Sequence, residues 1–317
     1  MNRLSSPSDT ESPGAISPGR SRLRSILSSG RFALTAEITP PASSDLNELK
    51  AKAAPLKGLA DAVNVTDGAG ARAHIDSTVA ASVLLREGIE PILQLTCRDR
   101  NRIALQSQLL GAAALGITNL LLLKGDDPGA GDQPDAKPVF DLDTAALAAT
   151  AVSIRDHGQL PYGRKVGGSA AFFVGVADAP VDPPPGWMPV SLTKKTEAGA
   201  EFAQTQFCMD VKILRRYVER LRENGIGGRL YLLVGVAPLA SAKSARWIKQ
   251  HLFGSIIPEW MIERLDKSTN PAAEGRALCV DLLKEYAEIP GVSGAHLMAP
   301  LNEHSIPGVI EALRKST

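Results

Sequence analysis

Short apolar runs alternate along this chain with longer stretches in which apolar residues recur every three or four positions. The runs fall at residues 32–38, 62–66, 91–96, 119–123, 166–173, 202–207, 229–236 and 294–298. They are continuous rather than alternating, which predicts strands covered on both faces, as in a parallel sheet. The helical pattern occupies residues 45–57, 77–87, 100–115, 143–157, 210–224, 271–288 and 305–315. Asp45 and Asp210 stand where helix N-caps belong, and Gly116 and Gly225 where helices stop. Eight strand–helix units with no break for a second domain predict a single (β/α)8 TIM barrel over residues 30–317. A doubly wound open sheet would carry a glycine-rich phosphate turn after its first strand. Here the first strand runs into Thr39-Pro40-Pro41, and GxGxxG occurs nowhere in the sequence.

Two segments fall outside the rhythm. Residues 1–29 are rich in Ser, Pro and Arg and lack the apolar stretch of an export signal, so they read as a disordered or strapped-on arm. Residues 178–189 include Asp182-Pro183-Pro184-Pro185-Gly186-Trp187, an extended loop after strand five. Trp187 is there either a lid residue or a packing anchor.

Composition narrows the function classes. With 44% hydrophobic and 22% charged residues, the chain has the make-up of an ordinary globular protein. A net charge of +1 argues against general attraction to nucleic acid or an anionic membrane. No apolar run approaches the ~18 residues of a membrane-spanning helix. Cys97, Cys208 and Cys279 are far apart with no CxxC pair, and read as reduced thiols of a cytoplasmic protein. The five histidines show no metal-binding spacing, so no metal is expected.

In such barrels the chemistry sits at the carboxyl ends of the strands. Those ends carry Glu37, then Thr66-Asp67-Gly68, Gln94 with Thr96, Lys124-Gly125-Asp126, and Gln206. A carboxylate among apolar neighbours at a strand end is poorly solvated, a setting that suits a general acid near neutral pH. Taken alone, Glu37 and Asp126 each read more readily as a helix cap or salt-bridge partner. Residues 124–131 form a Gly-rich loop whose amides could wrap a polar ring or phosphate. Lys194-Lys195 opens a helical turn before strand six and could neutralise a pyrophosphate, or simply be a solvated pair.

The order of these pieces resembles the methylenetetrahydrofolate reductase family. Glu37-Ile38-Thr39-Pro40-Pro41 is similar to that family's opening strand, Val63 through Gly68 to its second, and Leu95-Thr96-Cys97 to its third. Lys124-Gly125-Asp126 with Pro128-Gly129 and Lys137-Pro138 resembles its flavin loop. Residues 192–200, then Thr205-Gln206-Phe207 and Asp210, resemble its approach to strand six. Ile257-Pro258-Glu259-Trp260-Met261 resembles a late signature. The likeness spans about residues 31–315.

What the resemblance implies is an FAD-dependent oxidoreductase of one-carbon metabolism that interconverts 5,10-methylenetetrahydrofolate and 5-methyltetrahydrofolate. NADH or NADPH is the implied electron donor. Glu37 falls on the general acid that assists opening of the folate's five-membered ring. Asp126 falls on an aspartate near both pterin and flavin, and Gln206 on a folate-binding glutamine. Thr66, Gln94, Lys124, Gly125, Asp126, Phe140, Ser191, Lys194 and Lys195 fall on cofactor-contacting positions. Gln94 replaces a histidine common in the family, Lys124 an arginine and Ser191 an asparagine. Ala242 stands where relatives carry a phenylalanine that packs on folate and nicotinamide. The alternatives are a chain working mainly in the oxidising direction, or a flavin- and folate-binding subunit fed by a partner protein. A free, active monomer or homo-oligomer would favour the two enzymatic readings over the partner-fed subunit.

Overall fold

The computed structural model describes residues 20–316. Each apolar run finds two neighbours and closes a ring. The strands are β1 (Ala33–Ile38), β2 (Ala62–Val65), β3 (Pro91–Thr96) and β4 (Asn119–Leu123), then β5 (Phe173–Asp178), β6 (Phe202–Phe207), β7 (Tyr231–Val236) and β8 (Val292–Leu297). They pair in chain order, all parallel, and β8 returns to β1, making the closed eight-stranded barrel expected.

One helix, α1 (Arg22–Ser28), precedes β1. After β1 to β6 come, in turn, α2 (Leu46–Ala53), α3 (Ser77–Arg86), α4 (Arg102–Ala114), α5 (Thr144–His157), α6 (Val190–Glu197) and α7 (Val211–Glu223). Between β7 and β8 lie α8 (Ala242–His251), α9 (Glu259–Lys267) and α10 (Pro271–Ala287), and α11 (Ile306–Lys315) closes the chain after β8. The carboxylates of Asp45 and Asp210 cap α2 and α7 by accepting from the helices' first amides. Gly116 and Gly225 take positive φ just past α4 and α7, where a side chain would be strained.

Strand five differs from the expected 166–173. Gly167, Gly168 and Ser169 interrupt that stretch, and Gly168 turns the chain at φ +80°. The buried run begins at Phe172, so the strand is Phe173–Asp178, with Asn119 opposite Phe173. Helices α8 and α9 were not expected as separate elements. Both are amphipathic but short, and the Ile257-Pro258 break divides them.

The arm expected at residues 1–29 falls partly outside the described residues, which begin at Arg20. Its described end is a packed helix. Leu23, Ile26 and Leu27 of α1 are buried in one cluster with Ala33, Ala62, Ile92, Leu121, Phe173, Phe202 and Leu233, the inward side chains at the bottom of seven strands. Helix α1 therefore floors the barrel. Polar ties hold it there: Glu90 accepts from the amides of Arg22 (3.2 Å) and Leu23 (2.9 Å), and Ser21 donates to Asn119 at 2.6 Å. Arg24 pairs with Glu201 and lies 4.9 Å over the Phe173 ring. The sequence pattern is too short to reveal this, since only three apolar residues at helical spacing carry it.

Candidate active site at the barrel mouth

Period-two alternation turns Glu37, Thr66, Gln94 and Gln206 inward at the carboxyl end of the barrel. Glu37, at the exit of β1, has a side chain 22% exposed and accepts a hydrogen bond from Gln94 Nε2 at 2.7 Å. Its neighbour from β8 is His296, whose Nε2 stands 3.4 Å from the same carboxylate oxygen, Oε2. Thr66 is buried, and its hydroxyl oxygen has no hydrogen-bond partner. A buried hydroxyl left without a partner carries a desolvation cost that a ligand's polar atom would relieve.

Gln206 sits on a bulge, and its side-chain oxygen accepts from Phe207 N at 3.0 Å. The β6–β7 register shifts between Gln204 and Phe207. Gly235 makes the shift feasible, because a Cβ there would meet the Thr205 carbonyl oxygen at 2.4 Å. Thr205 locks the bulge, donating to the Gln206 carbonyl at 2.8 Å and accepting from Gly235 N at 2.9 Å.

The exits of β2, β3 and β4 are stitched together by two arginines that the sequence reading passed over. Arg98 is 3% exposed and donates to the carbonyls of Gly68 (3.1 Å) and Asp126 (3.4 Å) while pairing with Asp99. Arg100 pairs with Asp67, which also accepts from Thr96 N at 2.8 Å. Gly125 turns here at φ +96°, and a Cβ would lie 2.9 Å from Arg98 Cβ, so only glycine fits.

Asp126 is exposed and accepts from the amide of Gly70 at 2.8 Å, tying the β4 loop to the β2 loop. No interaction among the described residues links it to Glu37. Lys124 is exposed, with its ammonium 5.4 Å from the centre of the Phe140 ring. Phe140, at φ +43°, is strapped to β3 through its amide and the Cys97 carbonyl. The Gly-rich loop is less open than expected. The amides of Gly129, Ala130 and Gly131 are all spent inside a 3-10 turn, on Asp127 and Pro128.

Lys194 and Lys195 lie in the last turn of α6 rather than opening it, and they diverge. Lys194 is exposed and pairs with Asp143 at 2.7 Å. Lys195 is half-buried, donates to the Ala177 carbonyl at 2.7 Å, and has its pKa lowered by desolvation. Beside it Asp178 accepts from the Tyr217 hydroxyl, and burial raises the Asp178 carboxyl above its ordinary value. Lys195 is thus a brace under α6. Ser191 is exposed near the start of the same helix. Trp187 packs its ring on Tyr217, centroids 5.6 Å apart, which makes it the anchor of its loop rather than a lid. Ala242 opens α8 and is 4% exposed.

The cysteines take no part. All three are buried free thiols, with Cys97 and Cys208 pushed by burial to about 11 and about 12. His296 is what the sequence reading missed at the site itself. Its signal was parity: it lies on the inward face of β8, as Glu37 and Gln94 do on theirs. No helix among the described residues is long and apolar enough to cross a membrane.

The mouth presents polar and aromatic groups of the kind that a flat ring edged with polar atoms, such as a flavin or a pterin, would meet. Thr66 offers the unspent hydroxyl, Lys124 with Phe140 a cation and an exposed ring, and Lys194 a solvent-facing charge.

The model of the methylenetetrahydrofolate reductase family matches residues 22–314. The chain is 27% identical over 269 residues to the 5,10-methylenetetrahydrofolate reductase of Pectobacterium carotovorum, covering 80% of this chain and 81% of that protein. It is 26% identical over 245 residues to a Caenorhabditis elegans protein named probable methylenetetrahydrofolate reductase (NADPH). That match covers 75% of this chain but 34% of the worm protein, so the chain spans about a third of that relative's length. Among solved structures, a Clostridium thermocellum protein described as binding two copies of 5-methyl-5,6,7,8-tetrahydrofolic acid superposes with a TM-score of 0.63. The match covers 93% of this chain and all of that one at 13% identity, a likeness of fold alone.

Proposed function

Because the chain belongs to the methylenetetrahydrofolate reductase family, whose model spans residues 22–314, we propose that it interconverts 5,10-methylenetetrahydrofolate and 5-methyltetrahydrofolate by hydride transfer with FAD. The observation that carries the reading is Glu37, an inward carboxyl at the exit of β1, partly shielded from water and held by Gln94. An acid so fixed can protonate the folate nitrogen as the five-membered ring opens. Gln206, on its bulge in β6 and with its side-chain nitrogen unspent among the described residues, is the folate-orienting amide, and Asp126 is the acceptor at the pterin's edge. FAD, when bound, supplies the carrier that passes a hydride between a reduced nicotinamide and the one-carbon unit. Thr66, Lys124, Gly125, Phe140, Ser191 and Lys194 are the residues that would hold it. The buried, unpaired thiols suit a reducing compartment, and we place the activity in the cytoplasm.

Ala242 bears on the electron source. A ring at this position would give a nicotinamide a stacking surface worth about 0.5–1.5 kcal/mol beyond area burial. Alanine, buried at the head of α8, gives none. This favours slow reduction by NADH or NADPH relative to exchange with folate, and with it the oxidising direction or a partner protein as electron source.

Anaerobic stopped-flow mixing tests the whole reading. The chain purified with FAD is mixed separately with NADH, NADPH and 5-methyltetrahydrofolate, and flavin bleaching is followed. Bleaching by the folate is expected, faster than by either nucleotide. A chain that retains no FAD at saturating concentration, or a flavin that no folate reduces, would sink it.

A further inference from the structure

Below the mouth lies a polar layer. Thr35, Asn64, Gln204 and His296 point inward from β1, β2, β6 and β8, and each is at most 3% exposed. Barrel interiors are usually filled by branched aliphatic side chains, and buried polar atoms are tolerated only when paired. Here they are cross-bonded. Asn64 and Gln204 exchange amide hydrogen bonds of 2.6 and 3.1 Å, and Gln204 Nε2 donates to the Thr35 hydroxyl at 3.0 Å. The His296 ring rests on this group, with Nδ1 3.0 Å from Thr35 Oγ1 and 3.4 Å from Gln204 Nε2. Both protons of Gln204 Nε2 go to Asn64 and Thr35, so the donor to the ring is the Thr35 hydroxyl, whose contact with Nδ1 at 3.0 Å is shorter than its alternative with the Ala295 carbonyl at 3.3 Å and places Nδ1 as an acceptor. The ring proton then sits on Nε2, the atom 3.4 Å from Glu37 Oε2.

Gln94 Nε2 donates to that same oxygen at 2.7 Å. Glu37 Oε1 has no hydrogen-bond partner among the described residues. We propose that Gln94 and His296 are the positioning residues of Glu37, converging on Oε2 so that the transferable proton is confined to Oε1. The inference rests on the reading of Glu37 as the acid that opens the folate ring. A carboxylic acid accepts at its carbonyl oxygen and donates from its hydroxyl, so the Gln94 hydrogen bond to Oε2, with His296 Nε2 3.4 Å from the same atom, selects the form with the proton on Oε1. That proton passes to the folate nitrogen, which keeps the electron pair of the breaking carbon–nitrogen bond. Glu37 is left as a carboxylate whose Oε2 already accepts from Gln94 and faces the His296 ring nitrogen, and solvent restores the proton. Gln94 is in this way spent on the acid, although its position suggested a cofactor contact.

Two measurements test the inference. In the chain saturated with FAD and pre-reduced, the rate of reoxidation by 5,10-methylenetetrahydrofolate is compared for Gln94→Met, His296→Ala, His296→Gln and Glu37→Gln. Gln94→Met and His296→Ala should each slow this step by roughly tenfold, part of the ~10²–10⁴ that a general acid contributes. The folate KM and the rate of flavin reduction should hardly move, and His296→Gln, which returns an N–H, should recover part of the loss. Added to Glu37→Gln, neither change should cost more, because both act through that carboxyl. Full additivity, an equal fall in both half-reactions, or a loss confined to FAD affinity would overturn the proposal.

The second measurement uses the unaltered chain without cofactor. Proton–nitrogen correlation spectra, assigned with His296→Gln, should show His296 protonated on Nε2, and a ring protonated on Nδ1 alone would overturn the proposal whatever the kinetics. An unaltered chain that ignores folate would instead defeat the proposed function while leaving the ring assignment standing.

Discussion

Replacing Leu23 by alanine tests whether α1 belongs to the barrel. Leu23 is fully buried, and its neighbours in the floor cluster are Ala33, Ala62, Ile92, Leu121, Phe173, Phe202 and Leu233. Buried Leu→Ala changes cost about 2–5 kcal/mol, more where the surroundings cannot collapse into the space. The surroundings here are the ends of hydrogen-bonded strands and the stacked Phe173–Phe202 pair, whose ring centroids lie 4.7 Å apart. Neither can move inward without breaking the ladder, so the expected loss is in the upper half of that range, about 3–4 kcal/mol. Against a typical domain stability of about 5–15 kcal/mol, that is a large fraction. Urea unfolding followed by far-ultraviolet circular dichroism and by tryptophan fluorescence would read it as a drop in midpoint at constant slope. A change below about 1 kcal/mol, the usual effect of a surface substitution, would show that α1 is an attached arm and not the floor.

The two adjacent lysines of α6 should separate in their effects. Lys194→Ala should weaken FAD binding by roughly tenfold, the worth of one charged hydrogen bond, with an unchanged melting temperature. Lys195→Ala should instead lower the melting temperature, because it strips the Ala177 carbonyl and the half-buried Asp178 of their cation. At the floor, burial raises the Glu90 carboxyl above its ordinary 4.5, outweighing the amides of α1 that donate to it. The fold therefore binds this proton more tightly than the unfolded chain does. Its contribution to stability is full below 4.5 and is lost as pH rises through the native value. Glu90→Gln lacks that slope, so its urea midpoint relative to the native chain should climb with pH across this window, and a constant difference would refute the assignment. The three thiols should resist a chromogenic thiol reagent in the folded chain and react once urea unfolds it, whereas rapid labelling under native conditions would contradict their burial.

The barrel itself was legible in the chain because its signal is local. A strand covered on both faces must be apolar along its whole length, and seven of the eight runs mark their strands to within two or three residues. Caps such as Asp45 and Asp210 act on amides only two or three positions away, so they too are visible in sequence. Strand five was misplaced because β-branched and glycine-rich residues at 166–169 imitate a strand start, and only its pairing with β4 and β6 fixes Phe173 as the first rung.

At the site, the sequence determined which polar groups stand at strand exits, since parity and position along a run decide that: Glu37, Thr66, Gln94 and Gln206. What those groups touch was decided by closure of the ring, which brings β8 against β1 and His296 to Glu37 across more than 250 residues of chain. The same closure crosses Asn64 with Gln204 and turns three apolar residues of an arm into the barrel's floor. Hydrogen bonds and burial depend on distance in space, and periodicity along a strand carries no information about which inward side chain a distant strand will set opposite.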